Sequence, residues 1–157
     1  DTLNNLIASG DKILEIQAIL SGSLNYIFNN YKLNTSFKNV VQKAQKEGYT
    51  EPDPKIDLSG IDVARKILIL GRESGFKLEL DDITNNSFIP EEVLKSNNND
   101  ELYKSIDRNE NHFRSILESA IKKNKRLKYV AELKNGKASV GLREIDENHS
   151  FYDLKCF

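Results

Sequence analysis

The sequence predicts an α+β fold, with helices packed on one face of a mixed or antiparallel sheet. Three observations carry that expectation. An alternating apolar run occupies residues 12–20, segments with apolar residues three and four apart fill the middle, and an Asn135-Gly136 pair near the end separates two further alternating runs. With 157 residues the chain has the length of one domain, and 38% hydrophobic residues suffice for a core. We therefore read residues 1–157 as a single domain.

Taken in order, Leu14, Ile16, Ala18 and Leu20 share one side of a strand, with Glu15 and Gln17 on the other. Ser21-Gly22-Ser23 breaks the alternation. Leu24, Ile27, Phe28 and Tyr31 then recur at helical spacing, with Ser23 as the expected N-cap. A second helix is predicted after Ser36, its stripe formed by Phe37, Val40, Val41 and Ala44 and its end set by Gly48 at C′. Residues 49–57 are expected to be irregular, because Pro52 and Pro54 forbid both helix and ladder pairing there. From Leu58 to about Glu73 the pattern predicts one long helix. Its apolar positions Ile61, Val63, Ala64, Ile67, Leu68 and Leu70 cover most of the circumference, which predicts burial. Residues 77–100 read mostly as turns and end in a mobile loop at Ser96-Asn97-Asn98-Asn99-Asp100. A helix follows over 101–123, clearest at Phe113, Ile116, Leu117, Ala120 and Ile121. The last element is a hairpin, Leu127–Leu133 and then Ala138, Val140 and Leu142, turning at Asn135-Gly136.

Composition excludes several classes of function. The 24 acidic residues offset 23 basic ones, so an electrostatic nucleic-acid binder is not expected. No apolar run reaches the length of a membrane span, and the first residues lack the basic and apolar regions of a signal peptide. A single cysteine, Cys156, rules out an internal disulfide and a cysteine zinc site, and fits a reducing interior such as the cytoplasm. His112 and His149 have no Cys or His at ligand spacing, so both are expected at the surface and no metal site is expected. The acids of 51–62 lack the spacing and central glycine of a calcium loop. The run Lys122-Lys123-Asn124-Lys125-Arg126 reads as a solvated helix end. Ser21-Gly22-Ser23 lacks the G-x-S-x-G frame, and the eight glycines form neither G-x-G-x-x-G nor a P-loop. The chain contains no Met and opens on Asp1 within what reads as a helical turn, so we expect a piece of a longer polypeptide.

The chemistry concentrates between Tyr49 and Lys66. Glu51, Asp53, Asp57, Asp62 and Lys66 gather around the Pro-x-Pro turn and the helix after it. Asp62 and Lys66, four residues apart, share a helix face with about 6 Å of axial rise between them. On a buried helix such charges must meet each other or a ligand, because unpaired burial is costly. Two readings stand. One is an intrahelical ion pair with acids placed at a helix N-terminus, where the dipole favours them. The other is a pocket in which carboxylates hold a cationic group, such as an amino acid's ammonium, and the lysine exchanges a proton with an oxygen.

Longer stretches carry a resemblance. Ile19-Leu20-Ser21-Gly22-Ser23-Leu24-Asn25-Tyr26-Ile27-Phe28 resembles the strand–turn–helix of homoserine dehydrogenases. Gly48-Tyr49-Thr50-Glu51-Pro52-Asp53-Pro54, followed by Asp57-Leu58-Ser59-Gly60-Ile61-Asp62-Val63-Ala64-Arg65-Lys66, looks like their signature. The wording of Leu58–Gly75 is closer to bifunctional aspartokinase/homoserine dehydrogenases. The likeness is clear over 10–83, extends to about 95, and is weak across 96–157. It implies the substrate-binding and dimerisation domain of an enzyme that interconverts L-homoserine and L-aspartate 4-semialdehyde with NAD or NADP, toward threonine and methionine. By that resemblance Lys66 is the acid/base at the substrate oxygen and Glu51 binds the substrate. Asp57 and Asp62 line the same pocket, and Gly22, Ser23, Tyr49 and Thr50 surround it. The implied partners are a small amino-acid substrate and a second copy of the chain; nucleic acid and membrane are not expected. Ser23 stands where the family often has threonine, and Ile56 where it often has a charge. The dinucleotide-binding half, with a second catalytic lysine, is expected upstream, and further cofactor- and substrate-facing residues downstream. The isolated chain is therefore expected to be inactive. A rival expectation treats the segment mainly as a dimerisation module, with sheet edges at 12–20 and 127–145 pairing across a two-fold axis.

Overall fold

The computed structural model describes residues 2–10 and 12–155; Asp1 and Cys156, on which the chain-start and cysteine expectations rest, lie outside the described residues. Helix α1 spans Thr2–Ala8 and strand β1 Glu15–Ala18. The strand is shorter than its alternation predicts. Ile16 and Ala18 are half-buried, but Leu14 lies outside the ladder and is 76% exposed.

Helix α2 covers Gly22–Asn30 and buries Leu24, Ile27 and Phe28, with Tyr31 buried just beyond its end. Its N-cap is Ser21, not Ser23: the Ser21 hydroxyl accepts from the Leu24 N–H at 3.1 Å. Both serines carry a capping hydroxyl, and the helix starts two residues earlier than the apolar spacing alone indicates. Helix α3, Phe37–Lys46, matches its prediction, with Ser36 as N-cap and all four stripe residues buried.

The irregular stretch expected over 49–57 contains a short helix α4, Pro54–Leu58, capped by Asp53. Pro54 is tolerated because at the first helical position its missing N–H has no intrahelical partner to lose. The long helix expected from Leu58 accordingly begins three residues later, and Leu58 ends α4 instead. Gly60, at φ 71°, breaks the chain between α4 and helix α5, Ile61–Glu73. Helix α5 is not buried all round: Val63, Ala64, Ile67, Leu68 and Gly71 face inward, whereas Ile69 is 59% exposed.

The turn-rich region also holds more order than predicted. Strand β2 (Ile83–Asn86) follows a 3-10 turn at Leu80–Asp82, and helix α6 spans Glu91–Leu94. The asparagine cluster expected as a mobile loop is a helix start. Asn98 caps helix α7, Asn99–Arg108, by accepting from the Glu101 N–H. Asn109 then separates α7 from helix α8, Glu110–Lys122, where one helix is predicted.

Strands β3 (Arg126–Lys134) and β4 (Lys137–Ile145) form the predicted hairpin. Asn135 and Gly136 both take positive φ, 51° and 73°, as a two-residue turn matched to strand twist requires. Among the described residues the strands form one mixed sheet in the order β1-β3-β4-β2, with β1 antiparallel to β3 and β2 parallel to β4. The hairpin thus occupies the centre; β1 covers only Ala131–Lys134 of β3, and β2 only Ala138–Gly141 of β4. Tyr129, Ala131, Leu133, Ala138 and Val140 point into the core shared with the helices. Helices α2, α5 and α8 pack on β3, and Phe37 stacks on Phe113 at 4.1 Å between centroids. No helix among the described residues is long and apolar enough to cross a membrane.

Candidate active site

The acid-rich segment closes against the start of α2. A cavity of about 300 Å³ is lined by Ser21, Gly22, Ser23, Gly48, Tyr49, Glu51, Asp57, Asp62, Val63 and Lys66. It gathers seven of the nine residues singled out in the sequence; Asp53 instead caps α4. Thr50 is not on the lining; its hydroxyl donates to the Glu51 carbonyl at 3.0 Å. Ser21, Gly48 and Val63 are additions. Ser21 was legible only as part of the Ser21-Gly22-Ser23 break after the first strand, and Gly48 only as a helix stop.

Asp57 is the joint of the site. One oxygen accepts from the Ser23 hydroxyl at 2.7 Å, and the other from the Glu51 N–H at 2.9 Å. Ser23 also lies 3.0 Å from Ser21, so the cap of α2, the first turn of α4 and the loop between them are tied together. Tyr49 stacks on Tyr26 at 4.0 Å, and the Tyr26 hydroxyl donates to Glu47, which fixes the loop's other end. Glu51 itself is exposed, and its carboxylate has no hydrogen bond or ion pair to any described residue.

Lys66 stands at the opposite wall. Its ammonium donates to Asp62 Oδ2 at 2.7 Å and to the Leu20 carbonyl at 3.1 Å. Two of its three N–H donors are thereby used, and one remains. The Asp62 and Lys66 side chains are 56% and 48% exposed, so neither sits on a buried helix as the sequence implied. An exposed pair four residues apart on a helix contributes only about 0.3–0.5 kcal/mol to stability.

The junction between α4 and α5 is held from below by the sheet. Tyr129 reaches under Gly60, where a Cβ would lie 2.0 Å from its hydroxyl oxygen. That hydroxyl faces Asn85 Oδ1 at 3.3 Å, and the Asn85 amide donates to the Ser59 carbonyl at 2.9 Å. Burial pushes the Tyr129 phenol up to about 12, which keeps it a neutral donor.

A larger cavity of about 530 Å³ lies across Tyr26 and Tyr49 and includes Lys32, Lys125, Arg126 and Lys155 but no acid. Arg126 pairs with Asp153 and Lys125 with Asp146, and this cavity does not bring a carboxylate and an amine together. The smaller, acid-lined cavity is the chemically equipped one. Among the described residues no cluster of His, Cys, Asp and Glu could hold a metal ion.

The family model for homoserine dehydrogenase matches residues 1–156. The chain belongs to the homoserine dehydrogenase family. The match runs on through 96–156, where the residues by themselves carry little visible resemblance. A maize bifunctional aspartokinase/homoserine dehydrogenase is 44% identical over 98% of this chain and 17% of its own length. A fission yeast homoserine dehydrogenase is 39% identical, covering 98% of this chain and 43% of its own. The chain therefore spans less than half the length of these members of the family. Among solved structures, a Candida auris protein described as of unknown function superposes with a TM-score of 0.90 at 36% identity, over 99% of this chain and 45% of its own. A homoserine dehydrogenase from Thiobacillus denitrificans shares the fold at a TM-score of 0.70, with 19% identity over 98% of this chain and 32% of its own.

Proposed function

We propose that this chain is the substrate-binding part of an oxidoreductase that interconverts L-homoserine and L-aspartate 4-semialdehyde with NAD or NADP, a step toward threonine and methionine. The observation that carries the reading is the pairing of an anchored amine with an unpartnered carboxylate on one cavity. Lys66 is fixed by Asp62 and Leu20 with a donor to spare, and the Glu51 carboxylate has no partner among the described residues. An amino acid with an oxygen at its far end presents the complementary groups, a cationic ammonium for Glu51 and an oxygen for Lys66.

The family uses a nicotinamide cofactor, which supplies hydride. The described residues do not fit the phosphates of a dinucleotide: the cavity is acidic, and no glycine-rich phosphate loop is present. Its binding site would belong to other parts of the parent protein, and the chain alone would be inactive. What these residues do is bind and move a proton. Glu51 holds the ammonium and so fixes the reacting carbon relative to Lys66. As an aldehyde is reduced, charge builds on its oxygen; the Lys66 ammonium stabilises it and gives it a proton. Asp62 orients that ammonium, and its exposure lets solvent restore the proton. In the reverse direction Lys66 accepts the proton.

In the full-length parent enzyme, Lys66→Ala lowers kcat by about 10²–10⁴-fold, the range of a positioned acid/base. Thermal unfolding moves by no more than about 0.5 kcal/mol, since only an exposed pair is lost. Survival of activity would make Lys66 structural. The isolated chain, given L-aspartate 4-semialdehyde, leaves NADPH absorbance unchanged; measurable oxidation would refute its inactivity. A role as a homodimerisation module is compatible with this chemistry. Its support is the free edge of β1, beside which Leu14 is 76% exposed. Sedimentation of the parent at graded concentration tests it, and a monomer throughout would exclude it.

A further inference from the structure

The loop that carries Glu51 has no regular secondary structure from Tyr49 to Asp53, yet successive backbone groups along it are held by side chains. The Glu51 N–H goes to Asp57, and the Glu51 carbonyl accepts from Thr50. The next carbonyl, that of Pro52, accepts twice: from Gln45 Nε2 at 2.9 Å and from Asn99 Nδ2 at 2.9 Å. A carbonyl can only accept, so chemistry fixes which end of each amide faces it. With its nitrogen committed, Gln45 turns Oε1 toward Tyr103, whose hydroxyl donates to it at 2.6 Å. Tyr103 is a dependable donor, since burial raises its phenol above the ordinary value. A further tie lies one turn along: Lys55, in α4, donates to the Ser96 carbonyl at 2.7 Å.

These donors come from α3 and α7, neither of which lines the cavity. Gln45, Asn99 and Tyr103 are only half-buried, so they are not the core that keeps the helices together. Two amides converging on one exposed proline carbonyl would contribute little to stability in water, where that carbonyl could be solvated instead. What the arrangement does is define where the peptide after Glu51 lies. We propose that Gln45 and Asn99, with Tyr103 orienting Gln45, are positioning residues that set the Glu51 carboxylate against Lys66 by clamping the Pro52 carbonyl. The clamp determines affinity for the amino-acid substrate and does not take part in proton transfer. This rests on the reading of Glu51 as the ammonium ligand.

The test uses the full-length parent enzyme with L-homoserine and NADP. Gln45→Leu and Asn99→Leu each raise KM for homoserine about 3–10-fold, the worth of one hydrogen bond. They leave kcat within about 2-fold and KM for NADP unchanged. Tyr103→Phe gives a smaller shift in the same direction, because only the orientation of Gln45 is loosened. Gln45→Glu keeps the length but turns an acceptor on the carbonyl, so it fails to restore KM. In a Glu51→Gln background, Gln45→Leu adds nothing further, since the residue it positions is already disabled. Full additivity in that cycle, or an unchanged homoserine KM in both folded Leu variants, overturns the clamp. If Glu51→Gln itself leaves homoserine KM unchanged, the ammonium reading fails and takes the clamp with it. If Glu51→Gln raises KM while the Leu variants do not, the clamp alone fails. Equal losses in both KM values and in thermal stability would mark Gln45 and Asn99 as merely structural.

Discussion

The β3–β4 hairpin and the 49–66 segment are built on opposite principles. In the hairpin, every determinant is local: the turn is made by two adjacent residues, and the register follows from it residue by residue. In the 49–66 segment short-range bonds are joined by long-range ones. Ser23 holds Asp57 from 34 residues away, Leu20 holds Lys66 from 46, and Asn99 holds Pro52 from 47. The first region is a scaffold and the second a site. A scaffold can be specified by short-range pattern, whereas a site needs groups that ordinary secondary structure would not bring together. Tyr129 joins the two, since it stands on β3 and supports the α4–α5 junction.

That division can be tested by damaging each side. Leu133 is fully buried on β3, so Leu133→Ala destabilises the chain by about 2–5 kcal/mol through lost burial and the cavity left behind. Chemical denaturation reads this directly. In the folded fraction of the parent enzyme, KM for homoserine stays as it was. A shifted KM would mean that scaffold and site are not separable.

Gly60→Ala strikes the contact between the regions. It places a Cβ in the left-handed region and against the Tyr129 hydroxyl, which costs about 1–3 kcal/mol. Asp57 and Asp62 flank this junction, so here substrate affinity falls along with thermal stability. Loss of stability with unaltered affinity would show that the junction tolerates movement.

The same contact also has a pH dependence. An unfolded tyrosine ionises near 10, while Tyr129 is pushed up to about 12 by burial. As pH rises past 10 the unfolded state loses the proton first. The stabilisation is complete below pH 10 and disappears between 10 and 12. Unfolding midpoints measured across that window fall less steeply in Tyr129→Phe than in the unaltered chain. Parallel slopes would remove Tyr129 from the account.

The fold was readable where periodicity was clean. The stripe of α3, its Ser36 cap and the Asn135-Gly136 turn follow from neighbours alone. Where residues can serve two purposes, local reading chose wrongly. Ser23 has a capping hydroxyl but spends it on Asp57, leaving Ser21 to cap α2. Proline at the first position of α4 looks like a breaker until the helix it opens is seen. Asn98 reads as loop composition and acts as a cap. Strand β2 has a single buried residue and a parallel partner more than fifty residues away, so it leaves no alternation to detect.

By itself, the sequence determined the α+β class, the central hairpin and the set of acids and lysine that belong together. Those depend on side-chain period, turn conformers and residue chemistry, all written in order along the chain. Only the tertiary structure decided how that set is used. It left the Glu51 carboxylate without a partner among the described residues, gave Asp57 two, and exposed the Asp62–Lys66 pair that a solid apolar helix would have buried. The physical reason is that a hydrogen bond is fixed by distance in space, and the bonds that shape this cavity join residues tens of positions apart.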